Sequence, residues 1–94
     1  MARISIMGPS GRQERQLFRH NSLGRHPRNT HQVLDRVVSK EHCHIELVED
    51  RYVLKDLGSL NGTYVNGERV TDSRRLEDED LIKIGQTVLK FSAP

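Results

Sequence analysis

At 94 residues the chain can build one domain on a modest core, with little room for a deep substrate cavity beside it. Hydrophobic content of 34% against 30% charged suits a globular fold, and no apolar run nears the roughly 18 residues of a membrane-spanning helix. The net charge is only +2, yet up to Thr30 six arginines face Glu14 alone, +5 there and −3 afterwards, which fits either an anionic partner near the N-terminal half or a solvated basic surface.

Period-two patterning runs through the chain. Arg3-Ile4-Ser5-Ile6-Met7 alternates polar with apolar and stops at the turn cluster Gly8-Pro9-Ser10-Gly11, which predicts a first strand. Glu14 to His20, carrying Leu17 and Phe18, predicts a second. Cys43 to Val48 predicts another, Glu49-Asp50 a polar break, and Tyr52 to Leu57 its hairpin partner. Asn66-Gly67, set between Thr63-Tyr64-Val65 and Glu68-Arg69-Val70, predicts a tight hairpin, because a type I′ turn needs positive φ at both central residues. From Thr71 to Asp80 the chain suits a helical turn or a short strand over Ser73 to Leu76 entering an acidic loop. Leu81 to Ile84 and Thr87 to Phe91, joined at Gly85-Gln86, predict a closing hairpin. The strand-like ends at Met1 and Phe91 are expected to pair or lie close together. Many short strands between turn signals predict an all-β sandwich or barrel, one domain over residues 1–94. The single cysteine, Cys43, leaves no internal disulfide, and no signal-peptide core follows Met1, so the expected location is cytoplasmic, for a chain either whole or cut from a longer protein.

Three short elements carry the functional signal, and their order matters more than any one of them. Leu23-Gly24-Arg25 ends in a polar loop, Ser39-Lys40-Glu41-His42 precedes the Cys43 strand, and Gly58-Ser59-Leu60-Asn61-Gly62-Thr63 joins two strands. At these residues the chain resembles the forkhead-associated (FHA) family, whose pattern is Gly-Arg, then Ser-x-x-His, then Asn-Gly at similar spacings. The resemblance covers about Leu23 to Phe91 and implies a sandwich of roughly eleven mostly antiparallel strands, with ligand loops at one end that grip a phosphothreonine in an extended peptide. It implies that Arg25 and Ser39 contact the phosphate, that Lys40 adds a basic contact, and that Asn61 holds the peptide backbone. Ser59 would help form the peptide-facing loop, while Gly24, His42 and Gly62 would shape and brace the loops. The implied partner is a phosphothreonine-containing protein or peptide, with no cofactor, metal or small-molecule substrate.

The residue chemistry points the same way. A phosphate monoester carries about 1.5–2 negative charges and three acceptor oxygens at neutral pH. The Arg25 guanidinium offers it a two-pronged fork that never loses its proton. A Ser39 hydroxyl adds a short-range donor, and the Asn61 amide can pair with a peptide C=O and N–H together. Each residue also has a plainer reading. Arg25 and Lys40 could be solvated charges, Ser39 and Ser59 turn residues, Asn61-Gly62 a left-handed turn, Gly24 a point of backbone clearance and His42 a braced loop histidine.

Other function classes fit less well. Ser39 and His42 as nucleophile and base would point to opposite faces of a strand and lack an orienting acid, so no catalytic residues are expected. His42 and His44 on one strand face with Cys43 on the other make no zinc site. Nucleic-acid binding through the N-terminal arginines is a rival reading, as is a phosphate-independent interaction domain of the same fold. The aromatics Phe18, Tyr52, Tyr64 and Phe91 form no stacking platform in the sequence, which counts against nucleic acid. Val37 and Val38 flank the site, so a strongly acidic flanking preference is not indicated.

Overall fold

A computed structural model describes residues 2–94, and the described chain is eleven short strands joined by turns. In chain order they are β1 (Arg3–Gly8), β2 (Gly11–Gln16), β3 (His20–Gly24), β4 (His31–Gln32), β5 (Cys43–Val48), β6 (Arg51–Asp56), β7 (Thr63–Val65), β8 (Glu68–Arg69), β9 (Ser73–Arg75), β10 (Leu81–Ile84) and β11 (Thr87–Ser92). One sheet has the order β2-β1-β11-β10-β7-β8 and the other β4-β3-β5-β6-β9. The short β3–β4 pair, with Leu23 opposite His31, is parallel, and the other pairs are antiparallel. This is the all-β sandwich the alternation predicts.

Alternation explains the core. Ile4 and Ile6 of β1, Ile82 and Ile84 of β10, and Leu89 and Phe91 of β11 turn inward from one sheet. Leu23, Cys43, Ile45 and Leu54 meet them from the other. The ends of the chain pair as expected from β1 onward, with Ile4 opposite Phe91 and Arg3 opposite Ser92; Met1 lies outside the described residues. The Asn66-Gly67 hairpin forms with φ of 50° and 85°, the left-handed pair a type I′ turn requires. Glu49 and Asp50 adopt the same signs, at 49° and 66°, to close β5 onto β6. Of the two options for Thr71 to Asp80 the chain takes the strand, β9, along the edge of β6.

One predicted strand is split. Instead of a continuous element over Glu14 to His20, β2 ends at Gln16 and β3 begins at His20 in the other sheet. The buried side chain of Asn21 makes the break. Its Oδ1 accepts from the Phe18 N–H at 2.8 Å and its Nδ2 donates to the Phe18 carbonyl at 2.8 Å, replacing the ladder partners Phe18 would otherwise need. Leu17 stays buried at the crossing, while Phe18 turns outward.

Candidate functional site

Three loops, 25–30, 33–42 and 57–62, meet at one end of the sandwich and are spliced by hydrogen bonds. The Arg25 amide donates to the Ser39 carbonyl at 3.0 Å, and the His26 amide to the Lys40 carbonyl at 3.2 Å. Asn29 Nδ2 donates to the same Lys40 oxygen at 2.7 Å. Gly24 permits this approach, since a Cβ on it would stand 2.2 Å from the Lys40 carbonyl oxygen.

His42 joins the second loop to the third. Its Nδ1 accepts from the Ser39 amide at 3.1 Å, so Nε2 carries the proton and donates to the Gly62 carbonyl at 2.9 Å. The ring is fully buried and both nitrogens are committed. Ser39 and His42 therefore do not alternate across a strand as expected. Both precede β5, and the turn between them is held by the imidazole. The supposed shared face of His42 and His44 fails for the same reason: His42 and Cys43 are both buried, while His44 is half-buried with Nδ1 3.3 Å from Glu46. Burial, followed by the nearby Asp56 charge, pushes the Cys43 thiol up to about 12 despite a hydrogen bond with Thr63, so it is an inert core group.

Asp56, at the end of β6, organises the third loop. Its Oδ2 accepts from the Gly58 and Ser59 amides, each at 3.0 Å, and its Oδ1 from the Ser59 hydroxyl at 2.6 Å and the Thr63 hydroxyl at 2.7 Å. Burial raises the carboxyl's pKa, but these hydrogen bonds outweigh it and hold the net value below the ordinary range. Ser59 is thereby turned inward: its Oγ also accepts from the Gly62 amide at 3.0 Å, and it does not line the cleft. Ser59 thus helps form the loop from inside, through its hydrogen bonds with Asp56 and Gly62, with its hydroxyl turned away from the cleft. Gly62 itself sits at φ 87°, beside the Arg69 guanidinium. Asp35 does a parallel job for the second loop. It accepts from the Val37 amide at 2.9 Å, the Gln86 amide at 2.8 Å and the Thr87 hydroxyl at 2.7 Å, again with a carboxyl lowered against the pull of burial.

These braces leave an open cleft of about 690 Å³, lined by Arg25, Arg36, Val37, Val38, Ser39, Lys40, Glu41, Leu57, Leu60 and Asn61. Arg25 Nε donates to the Val38 carbonyl at 3.1 Å, which fixes the stem and leaves the outer guanidinium nitrogens to a ligand. The Ser39 Oγ accepts from the Leu60 amide at 3.1 Å, so its own proton remains to be donated. Asn61 Nδ2 donates to the Val37 carbonyl at 3.1 Å, leaving its oxygen and second N–H open. Arg25, Arg36 and Lys40 form no ion pair among the described residues, although Glu41 lies on the rim. Three cations against one carboxylate, with a hydroxyl and an amide set among them, suit a dianion on a chain with backbone groups of its own. Arg36 and Asp56 were not among the residues singled out from sequence. Asp56 carried a usable signal, since Asp two and three residues before Gly and Ser is the pattern of a side-chain-capped turn. Arg36 carried none.

Comparison with known proteins identifies the family to which this fold is similar. The FHA domain family model matches residues 21–85. The glycogen accumulation regulator GarA of Mycobacterium tuberculosis is 43% identical over 70 residues, 74% of this chain and 43% of that protein. The oxoglutarate dehydrogenase inhibitor of Corynebacterium efficiens is 41% identical over 72 residues, 77% of this chain and 50% of that one. The chain thus spans half the length of these relatives or less. A solved structure from a structural and functional analysis of phosphothreonine-dependent FHA domain interactions superposes with a TM-score of 0.90 at 29% identity, covering 99% of this chain and 96% of that one.

Proposed function

The chain belongs to the FHA domain family, and we propose that it binds a phosphothreonine-bearing segment of a partner protein in its three-loop cleft, as a signalling module. Arg25 takes two phosphate oxygens through its outer nitrogens, Ser39 donates its hydroxyl proton to a third, and Lys40 adds charge from the rim. Asn61 pairs with the peptide backbone. The single observation that carries this reading is that residues from three separate loops, Arg25, Ser39 and Asn61, line one hollow with their ligand-facing donors still free. The FHA neighbour with the TM-score of 0.90 comes from work on phosphothreonine-dependent interactions, and the two curated relatives bear the names of a regulator and an inhibitor. Those names support a binding role without catalysis. A phosphothreonine partner also supports an intracellular location, where protein kinases and reduced thiols such as Cys43 coexist.

Charge-assisted hydrogen bonds contribute about 1.5–3 kcal/mol each, so a few of them, less ordering costs, give micromolar affinity or about −8 kcal/mol. The test is a titration with three versions of one peptide, carrying phosphothreonine, phosphoserine or threonine. Micromolar binding of the first, weaker binding of the second and none of the third is expected. Equal binding of the phosphorylated and unphosphorylated forms overturns the reading, and is the outcome that nucleic-acid binding through the N-terminal arginines predicts.

A further inference from the structure

The solvent face of an antiparallel sheet is ordinarily polar. In the six-stranded sheet most outward positions keep to that rule, Arg3, Ser5, Glu14, Lys90 and Ser92 among them, but Met7, Tyr64, Leu81 and Val88 interrupt it. Tyr64 lies opposite Lys83, Lys83 opposite Val88, and Val88 opposite Met7, so one outward row crosses β7, β10, β11 and β1. Leu81, 46% exposed, lies on the same face of β10, and Met7 is 39% exposed. The row ends in an arginine on each side, Arg69 of β8 opposite Tyr64 and Arg12 of β2 opposite Met7. Six strands at a spacing of about 4.8 Å make it about 24 Å long. Arg12, Arg69 and Lys83 form no ion pair among the described residues, and Glu14 on the same face accepts a hydrogen bond from Ser5 Oγ.

This face runs into the phosphate cleft. A groove of about 640 Å³ has Tyr64, Leu81, Lys83 and Val88 on its floor and shares Val37 and Asn61 with the cleft. We infer that the outer face of the six-stranded sheet is a second docking surface, occupied by the same partner that presents the phosphothreonine. The segment it takes carries bulky apolar side chains interspersed with carboxylates. Apolar groups cover Val88, Leu81 and Met7, while the carboxylates answer the three unpaired cations. The inference rests on the phosphothreonine reading, since the shared Val37 and Asn61 are what connect the face to the phosphate. The hollow adjoining the cleft through Lys40 and Glu41, lined by Ser22, His26, Arg28 and Asn29, has no apolar side chain, so the apolar preference is one-sided.

The test uses a short phosphothreonine peptide with alanine flanks, extended at either end by a tail of about eight residues, the length that spans the row. One tail alternates Leu and Asp and the control alternates Ser and Gly. At one end only, the Leu-Asp tail tightens binding about tenfold over the control. The amide shifts of Met7, Leu81 and Val88 move with that tail and not with the control. The double variant Met7→Ser with Leu81→Ser erases the gain and leaves binding of the alanine-flanked peptide unchanged. No gain at either end, or a gain that survives the double variant, overturns the inference. Failure of the phosphothreonine reading looks different: the alanine-flanked peptide then binds equally with and without phosphate.

Discussion

Two neighbouring residues, Gly24 and Arg25, divide the work of the cleft between shape and charge. Gly24 has no side chain because the Lys40 carbonyl fills the space one would need. Gly24→Ala forces the first loop from the second, at a cost of about 1–3 kcal/mol typical of overpacking. The urea midpoint should fall accordingly, and phosphopeptide affinity with it, because the Arg25 amide loses its register on Ser39; an unchanged midpoint contradicts the assignment. Arg25 is exposed and contributes one stem hydrogen bond, so its replacement leaves the fold intact. Arg25→Ala should abolish phosphopeptide binding at unchanged melting temperature. Arg25→Lys keeps the charge but loses the fork, and should weaken binding by about tenfold or more. Titration of the folded variants decides it: wild-type affinity in either one removes Arg25 from the site.

At the scale of elements, the loop 57–62 owes its shape to a single carboxylate. Asp56→Ala strands two amides and two hydroxyls at once, and water can reach only part of that half-buried cluster. A loss of about 2–4 kcal/mol follows, with faster amide exchange at Gly58, Ser59 and Gly62 and weaker peptide binding through the displaced Asn61. Protected amides in that variant would show that Asp56 is dispensable. Elements were legible where the chain spells out its own turn. Asn66-Gly67 names its hairpin through two residues that accept positive φ, and Glu49-Asp50, the polar break expected between β5 and β6, reaches the same backbone geometry with Asp50 alone favouring it. The break at Phe18 was hidden because its hydrogen-bond partner is a side chain three residues later, and local patterning does not register Asn21 as a cap. The two-residue β4 is too short for any period to appear. In the cleft, Arg25, Ser39, Lys40 and Asn61 could be read from the order of three motifs. Ser59 could not be assigned to its inward side, because the same Gly-Ser turn can face either way until Asp56 captures its hydroxyl.

The sandwich as a whole is closed at β3 and β4 by a polar cluster inside the apolar core, and that cluster makes the molecule sensitive to acid. Asn21 Oδ1, already accepting from Phe18, also lies 3.0 Å from His31 Nε2, which must therefore be the donor. His31 Nδ1 is then a bare lone pair, buried without a partner, under the stacked ring of Phe18. A proton there would find no acceptor, and burial, with Arg15 adding a smaller repulsion, lowers the His31 pKa to about 4 from 6.5. The unfolded chain takes up this proton first as pH falls. The stability tied to neutral His31 is thus fully present above about pH 6.5 and is lost progressively down to about pH 4, up to about 3 kcal/mol in all. Asp35 and Asp56 act lower down, because their carboxyls are held below the ordinary range; their contribution is fully present above the unfolded carboxyl range and is lost as pH falls from there through the lowered values. Unfolding free energies measured from pH 7.5 to 4 for the wild type and for His31→Gln, which keeps a donor for Asn21, separate the two sources. The difference between the proteins should shrink steadily below pH 6.5 as the wild type alone pays for a buried neutral imidazole. A difference that stays constant across that range would mean that His31 titrates in the folded sandwich as it does in the open chain.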